Sequence, residues 1–164
     1  MAGARLAAGL RAPLARSAPD SLAIFPRCRR YPLRPMSAAP LPQCQHLIQG
    51  LWWPSETEAP WTLARWTLAA IAPPDLRAAL HREATAPVVE LTLANLMADL
   101  RRRCQGYGVE GQALVQRYES LATWLEAQCD RVQVFRVGTV TIDLVVIGAT
   151  PTGLVILQTQ SVET

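Results

Sequence analysis

Between Val109 and Gln128 the apolar residues Val109, Ala113, Leu114, Tyr118, Leu121, Trp124 and Leu125 recur at intervals of three and four, the spacing that lays one stripe along a helix. The pattern then changes to alternation and β-branched residues in "VQVFRVGTVTIDLVVIGATPTGLVILQTQSV". That stretch predicts strands, with "GT" turn-like and "TPTG" suited to a hairpin connection in which Gly153 comes late in the turn. Upstream the signals are shorter. "CQHLIQGLWW" predicts a short helix through Leu47, Ile48 and Leu51, stopped by Pro54. "WTLARWTLAAI", flanked by Pro60 and by Pro73-Pro74, fits a strand through Trp61, Leu63 and Trp66. "APPDLRAALHRE" allows a helical turn with proline at its start, "PVVELTL" reads as a strand, and a helix follows from Ala94. The sum is an α+β fold, a largely antiparallel sheet packed against the long helix.

At 164 residues, half of them hydrophobic, the chain can bury one sizeable core and has little left for a second domain. Charged residues or prolines interrupt every apolar run before it reaches the length of a membrane span, so a soluble, cytoplasmic protein is expected. The net charge of +3 hides an asymmetry: residues 1–45 carry seven arginines against the single acid Asp20, which leaves −3 for the remainder. The basic part is a Pro/Ala/Arg-rich stretch without periodicity, and the acidic remainder argues against a phosphate-binding surface, so no direct nucleic-acid partner is expected.

Residues 1–42 are expected to form a disordered or processed extension, and residues 43–164 the folded domain. Three readings of the extension stay open: an organelle transit peptide, a disordered tail, or upstream sequence preceding a natural start at Met36. The cysteines Cys28, Cys44, Cys104 and Cys129 contain no C-x-x-C pair and have no metal-ligand spacing with His46 or His81, so free thiols and no structural zinc are expected.

No catalytic constellation emerges, and no cofactor is expected. His81 stands alone as a base, Ser55 has no G-x-S-x-G setting, and the glycines form no phosphate loop. Arg101-Arg102-Arg103 reads as the solvated end of a helix, where cations meet a favourable dipole, and Asp143 as a residue that alternates outward or pairs across the sheet.

The segment "GLWWPSETEAPW", Gly50 to Trp61, is different. It sets three tryptophans around Glu56 and Glu58, and the prolines at 54 and 60 stiffen the backbone between them. By composition alone it is a turn in a solvated loop; alternatively the tryptophans anchor the loop's ends in the core and the carboxylates are held out for a partner.

This segment resembles the Gly-Leu, Ser-Glu-Ser/Thr-acidic, Pro signature of the nuclease A inhibitor (NuiA-like) family, found mainly in bacteria. "VQVFRVGTVTIDLVVIGATPTG" is similar to that family's second block, and the chain stops in "VET" as members do. Order and spacing together cover most of residues 43–164. The resemblance implies an α/β/α sandwich similar to plant pathogenesis-related protein 1. It also implies a monomeric, non-enzymatic inhibitor that binds a sugar-non-specific, Mg²⁺-dependent nuclease one to one. By the same resemblance Glu56 enters the nuclease site toward the partner's metal, Thr164 lies near that site, and Ser55, Glu58 and Tyr107 complete the partner-binding set. An interaction domain of the same fold with another protein partner or a small ligand is the alternative.

Two features depart from the family pattern. "RRRCQGYGVEG" offers only Tyr107 and Glu110 where relatives have an aromatic and several acids, and its arginines are expected to repel a basic nuclease. The hairpin after "TPTG" reads as one residue shorter.

Overall fold

The structure, a computed structural model, describes residues 41–68 and 70–163. The expectations for the extension before residue 41, including Cys28, and for Thr164 fall outside the described residues.

Among the described residues the chain forms four helices and five strands in an α+β arrangement. Their order is α1 (Leu41–Ile48), β1 (Thr62–Ala64), α2 (Pro73–Ala79), β2 (Val88–Leu91), α3 (Leu93–Cys104), α4 (Gly108–Gln128), β3 (Arg131–Val137), β4 (Thr141–Thr150) and β5 (Gly153–Val162). All the strand pairs are antiparallel, in the sheet order β1-β5-β4-β3-β2.

Strand alternation gives the sheet two apolar faces. Val134, Ile142, Leu144, Val146, Val155 and Leu157 pack with α1, α3 and α4. Phe135, Val137, Val145, Ile147, Ala149, Leu154 and Ile156 pack with Leu68 and with Leu76 of α2. Covering both faces makes β4 buried along nearly its whole length, which is why "TIDLVVIGAT" is almost continuously apolar rather than alternating. Its one acid, Asp143, is 2 % exposed; it accepts from Arg82 at 2.5 Å and from its cross-strand neighbour Gln160 at 3.1 Å, the second of the two arrangements expected for it.

Local sequence accounts for most element ends. Thr92 caps α3 by accepting from the Asn95 backbone at 3.0 Å while Asn95 Oδ1 accepts from the Thr92 backbone at 3.2 Å, so the helix begins one residue before the expected Ala94. Pro73 and Pro74 open α2, and Thr150 pairs with Gly153 across the expected hairpin connection, here a two-residue turn.

Three expectations need correction. The first helix ends at Ile48, not at Pro54: Gly50 takes a left-handed φ of 63°, and Arg117 of α4 donates to the carbonyls of Gln49 and Gly50 at 2.5 and 3.0 Å. Leu51 is therefore buried from a loop, not from a helix face. Second, β1 is three residues long, because beyond Ala64 the chain leaves the ladder and takes Trp66 and Leu68 to the core cluster on the α2 side. Third, the buried stripe of α4 is Gly111, Leu114, Tyr118, Leu121, Trp124 and Leu125, with Val109 and Ala113 left exposed.

Cys44, Cys104 and Cys129 are free thiols, as expected. Burial pushes Cys44 up to about 12 and Cys129 up to about 11, so these sulfurs stay protonated and unreactive near neutral pH. No described helix is long and apolar enough to cross a membrane.

Candidate functional site

The sheet directs five connections to one end of the molecule. β1 starts there, β5 finishes there, and the turn from β3 to β4 closes there at Val137 and Asp143. β2 begins beside Val137, with Pro87 accepting from the Gly138 backbone at 3.0 Å. α3 runs back to the same end, and α4 leaves from it. Gly111 permits this tight corner: a β-carbon there would stand 2.5 Å from the Cys104 carbonyl oxygen.

The acidic segment sits at this end. An antiparallel bridge between Trp52 and Pro60 closes its base, with Trp53 donating to Ala59 and Trp61 to Leu51, both at 2.9 Å. Between them the chain turns at Ser55–Glu58. Glu58 adopts φ 46°, a left-handed conformation that costs a non-glycine residue roughly 1–2 kcal/mol and survives where the surroundings determine it. Ser55 is half-buried, with its hydroxyl 3.4 Å from that of Thr57, while Glu56, Thr57 and Glu58 are exposed.

Side chains from three other elements fasten the loop by its carbonyls. Tyr118 of α4 donates to Trp52 at 2.8 Å, Arg103 of α3 to Pro54 at 3.3 Å, and Thr159 of β5 to Ala59 at 2.8 Å. Trp61 Nε1 donates to the Tyr118 hydroxyl at 2.6 Å, so that phenol is used in both directions. Beneath, the rings of Trp53, Trp61 and Tyr118 meet edge to face with centroids 6.1–6.5 Å apart. Trp53 and Trp61 are buried, as anchoring requires. Trp52 is half-buried and packs instead on Tyr107, centroids 5.8 Å apart.

Arg103 is the centre of the site, although in the sequence it is only the last of a three-arginine run. It stands over the Trp53 ring at 5.5 Å and pairs with Asp99 of its own helix and with Glu163, just past β5. Glu163 also accepts from Arg136 at 2.7 Å and from Ser161 at 3.1 Å, and its backbone donates to Val140 at 3.0 Å. One guanidinium thus ties the acidic loop to the last described residue.

The reading of Arg101-Arg102-Arg103 as a solvated helix end holds for Arg101 and Arg102, which are exposed in the last turn of α3, and changes for Arg103. Arg101 pairs with Glu119 and Arg102 with Asp99 at the surface, while Arg103 is inside the network with Asp99 and Glu163. Of the expected partner-binding residues, Ser55, Glu56, Glu58 and Tyr107 share this end. Thr164 lies outside the described residues, next in sequence to Glu163.

Burial pushes the Glu163 carboxyl up, but the hydrogen bonds and charges of Arg136 and Arg103 outweigh it and hold the group below its usual 4.5. Asp99 is lowered likewise by Arg102 and Arg103 against its own burial. A carboxyl lowered by folding contributes stability that is complete above its unfolded value and lost as pH falls through the folded one. Chemical denaturation from pH 7 down to pH 3 should therefore show stability falling below about pH 4.5, with a shallower fall in Glu163→Gln. Equal slopes for the two proteins would show that Glu163 is not held in this way.

No curated protein matches the sequence significantly. The family model for nuclease A inhibitor-like proteins matches residues 39–164, a span that contains every described element and both segments that carry the resemblance. The chain therefore belongs to the nuclease A inhibitor-like family.

Proposed function

We propose that this protein inhibits a sugar-non-specific, Mg²⁺-dependent nuclease by one-to-one binding, with Glu56 entering the partner's active site. The observation that carries this reading is the presentation of Glu56, Thr57 and Glu58 on a loop whose backbone carbonyls are clamped from α3, α4 and β5. Preorganisation of this kind removes the ordering cost that an acid on a free loop incurs on binding.

Mg²⁺ takes hard oxygen ligands, completed in nucleases by water and substrate phosphate. A carboxylate delivered rigidly to that metal takes the phosphate's place and offers no scissile phosphorus, so nothing is cleaved. The folded part's charge of −3 draws it toward a groove built for polyanions and raises the association rate. Ser55 and Glu58 flank the acid, Tyr107 adds an aromatic contact beside Trp52, and Thr164, next in sequence to Glu163, is the fifth partner-binding residue of this reading. The role is binding rather than catalysis. Helices on both sheet faces also suit the sandwich similar to pathogenesis-related protein 1.

The test is titration of the chain into Mg²⁺-dependent non-specific nucleases. Activity should fall to a one-to-one end point, and residues appended after Thr164 should weaken inhibition at least about tenfold while an N-terminal tag leaves it intact. Absence of inhibition at a large excess over every such nuclease would rule the reading out in favour of another partner for the fold. Equal inhibition by both tagged forms would remove Thr164 from the site.

A further inference from the structure

Among the described residues four large hydrophobic side chains are exposed: Val109 at 81 %, Val140 at 56 %, Val89 at 51 % and Tyr107 at 39 %. Single exposed valines are ordinary on a protein surface. Their placement is not ordinary here, since all four lie at the end that carries the acidic loop.

Each is tied to that end by a contact or by its place in the chain. Tyr107 packs on Trp52 at the loop's base, and Val109 is in the first turn of α4 immediately after it. Val140, in the turn between β3 and β4, has its carbonyl occupied by the Glu163 backbone. Val89 stands opposite Arg136, which holds the Glu163 carboxylate. The two residues most exposed are also those that local sequence rules would place differently. Val109 continues the apolar spacing of α4 yet is outside its buried stripe, and Val140 puts a β-branched side chain in a turn position that small polar residues usually fill.

We infer that Val109 and Val140 are apolar contact residues of the nuclease-binding surface, seated on uncharged walls beside the partner's cationic, metal-bearing groove. This assignment rests on the nuclease reading above and extends its surface beyond the acidic loop. A protein interface needs desolvated apolar contacts around its charged centre, because burial strengthens the central electrostatic contact and slows dissociation. The chain's own charge points to the same occupant: the acids of the loop require a cationic partner surface, and a second copy of this acidic domain would not supply one. Both valines are already in water, so losing them leaves the fold unharmed.

The experiment compares wild type, Val109→Ser/Val140→Ser and Glu56→Gln for binding kinetics against the nucleases inhibited above, with melting of each protein alone. The double variant should dissociate at least about tenfold faster with the association rate, its salt dependence and the melting temperature nearly unchanged. Glu56→Gln should weaken binding independently, as a check on the underlying reading. Unchanged dissociation of the double variant alongside a weakened Glu56→Gln overturns the apolar contacts and leaves the nuclease reading standing. Where wild type binds no nuclease, that reading falls, and sedimentation then decides about the valines. Self-association lost in the double variant assigns them to a second copy, and no self-association shows that they form no interface; either result overturns the inference.

Discussion

Replacing Glu56 by glutamine is expected to weaken nuclease inhibition at least about tenfold while leaving the fold intact. Glutamine keeps the shape and removes the charge that meets the metal; loss of a charge-assisted contact at a desolvated interface costs about 2–5 kcal/mol. An exposed loop residue contributes little to the stability of the free protein, within about 0.5–1 kcal/mol, so its melting temperature should barely move. Glu58→Gln serves as the comparison, because Glu58 has the same charge on the same loop and differs in position. A general attraction between the acidic domain and a basic groove predicts similar losses for the two variants. Contact with the metal predicts a much larger loss at Glu56, and equal small losses would remove the metal-directed mechanism.

The second large effect is expected at Arg103. Arg103→Ala removes the ion pairs to Asp99 and Glu163, the hydrogen bond to Pro54 and the cation over Trp53. Exposed pairs contribute up to about 1 kcal/mol and broken buried pairs cost about 3–5 kcal/mol; the side chain is 24 % exposed, which places the loss between them, at about 2–3 kcal/mol. For a domain of this size that corresponds to a melting point lower by roughly 5–10 °C. Asp99 keeps Arg102 and Glu163 keeps Arg136, so the protein should still fold. Inhibition should fall by more than the stability change accounts for, since Arg103 joins Pro54 in the loop to Glu163. Arg103→Lys separates charge from shape: an ammonium can keep one carboxylate but cannot reach both carboxylates and the carbonyl with a planar fork. A protein that loses stability yet inhibits at full strength below its melting point would show that the loop keeps its conformation without Arg103.

The strands and long helix were legible because hydrophobic spacing is a local property, read over a few turns or a few alternations. The anchoring of the acidic loop by Trp53 and Trp61 was legible too, in large apolar residues at either end of a short polar stretch. The ends of elements were less so. Pro54 reads as a strong stop, but Gly50 ended α1 first, with Arg117 of a distant helix completing the cap. The alternation around Trp61–Trp66 extends beyond β1, yet a strand lasts only while its partner's ladder is within reach, and Trp66 and Leu68 found more apolar contact on the other face. Val109 fits the helical spacing but is the residue nearest the helix start, where no neighbouring layer covers it.

Sequence by itself determined the α+β class, the family, and the chemistry available at the loop, because these depend on residue types and short spacings. The assembly of the site was decided only in three dimensions. Arg103 and Glu163 are 60 positions apart, and in the sequence the first is one arginine of three and the second an acid close to the last residue. Nothing in their neighbourhoods pairs them. It is the antiparallel order of β5, β4 and β3, together with α3 turning back along the sheet, that brings the two to the end where the acidic loop is held, and there proximity and partial burial favour the electrostatic pairing that no motif encodes.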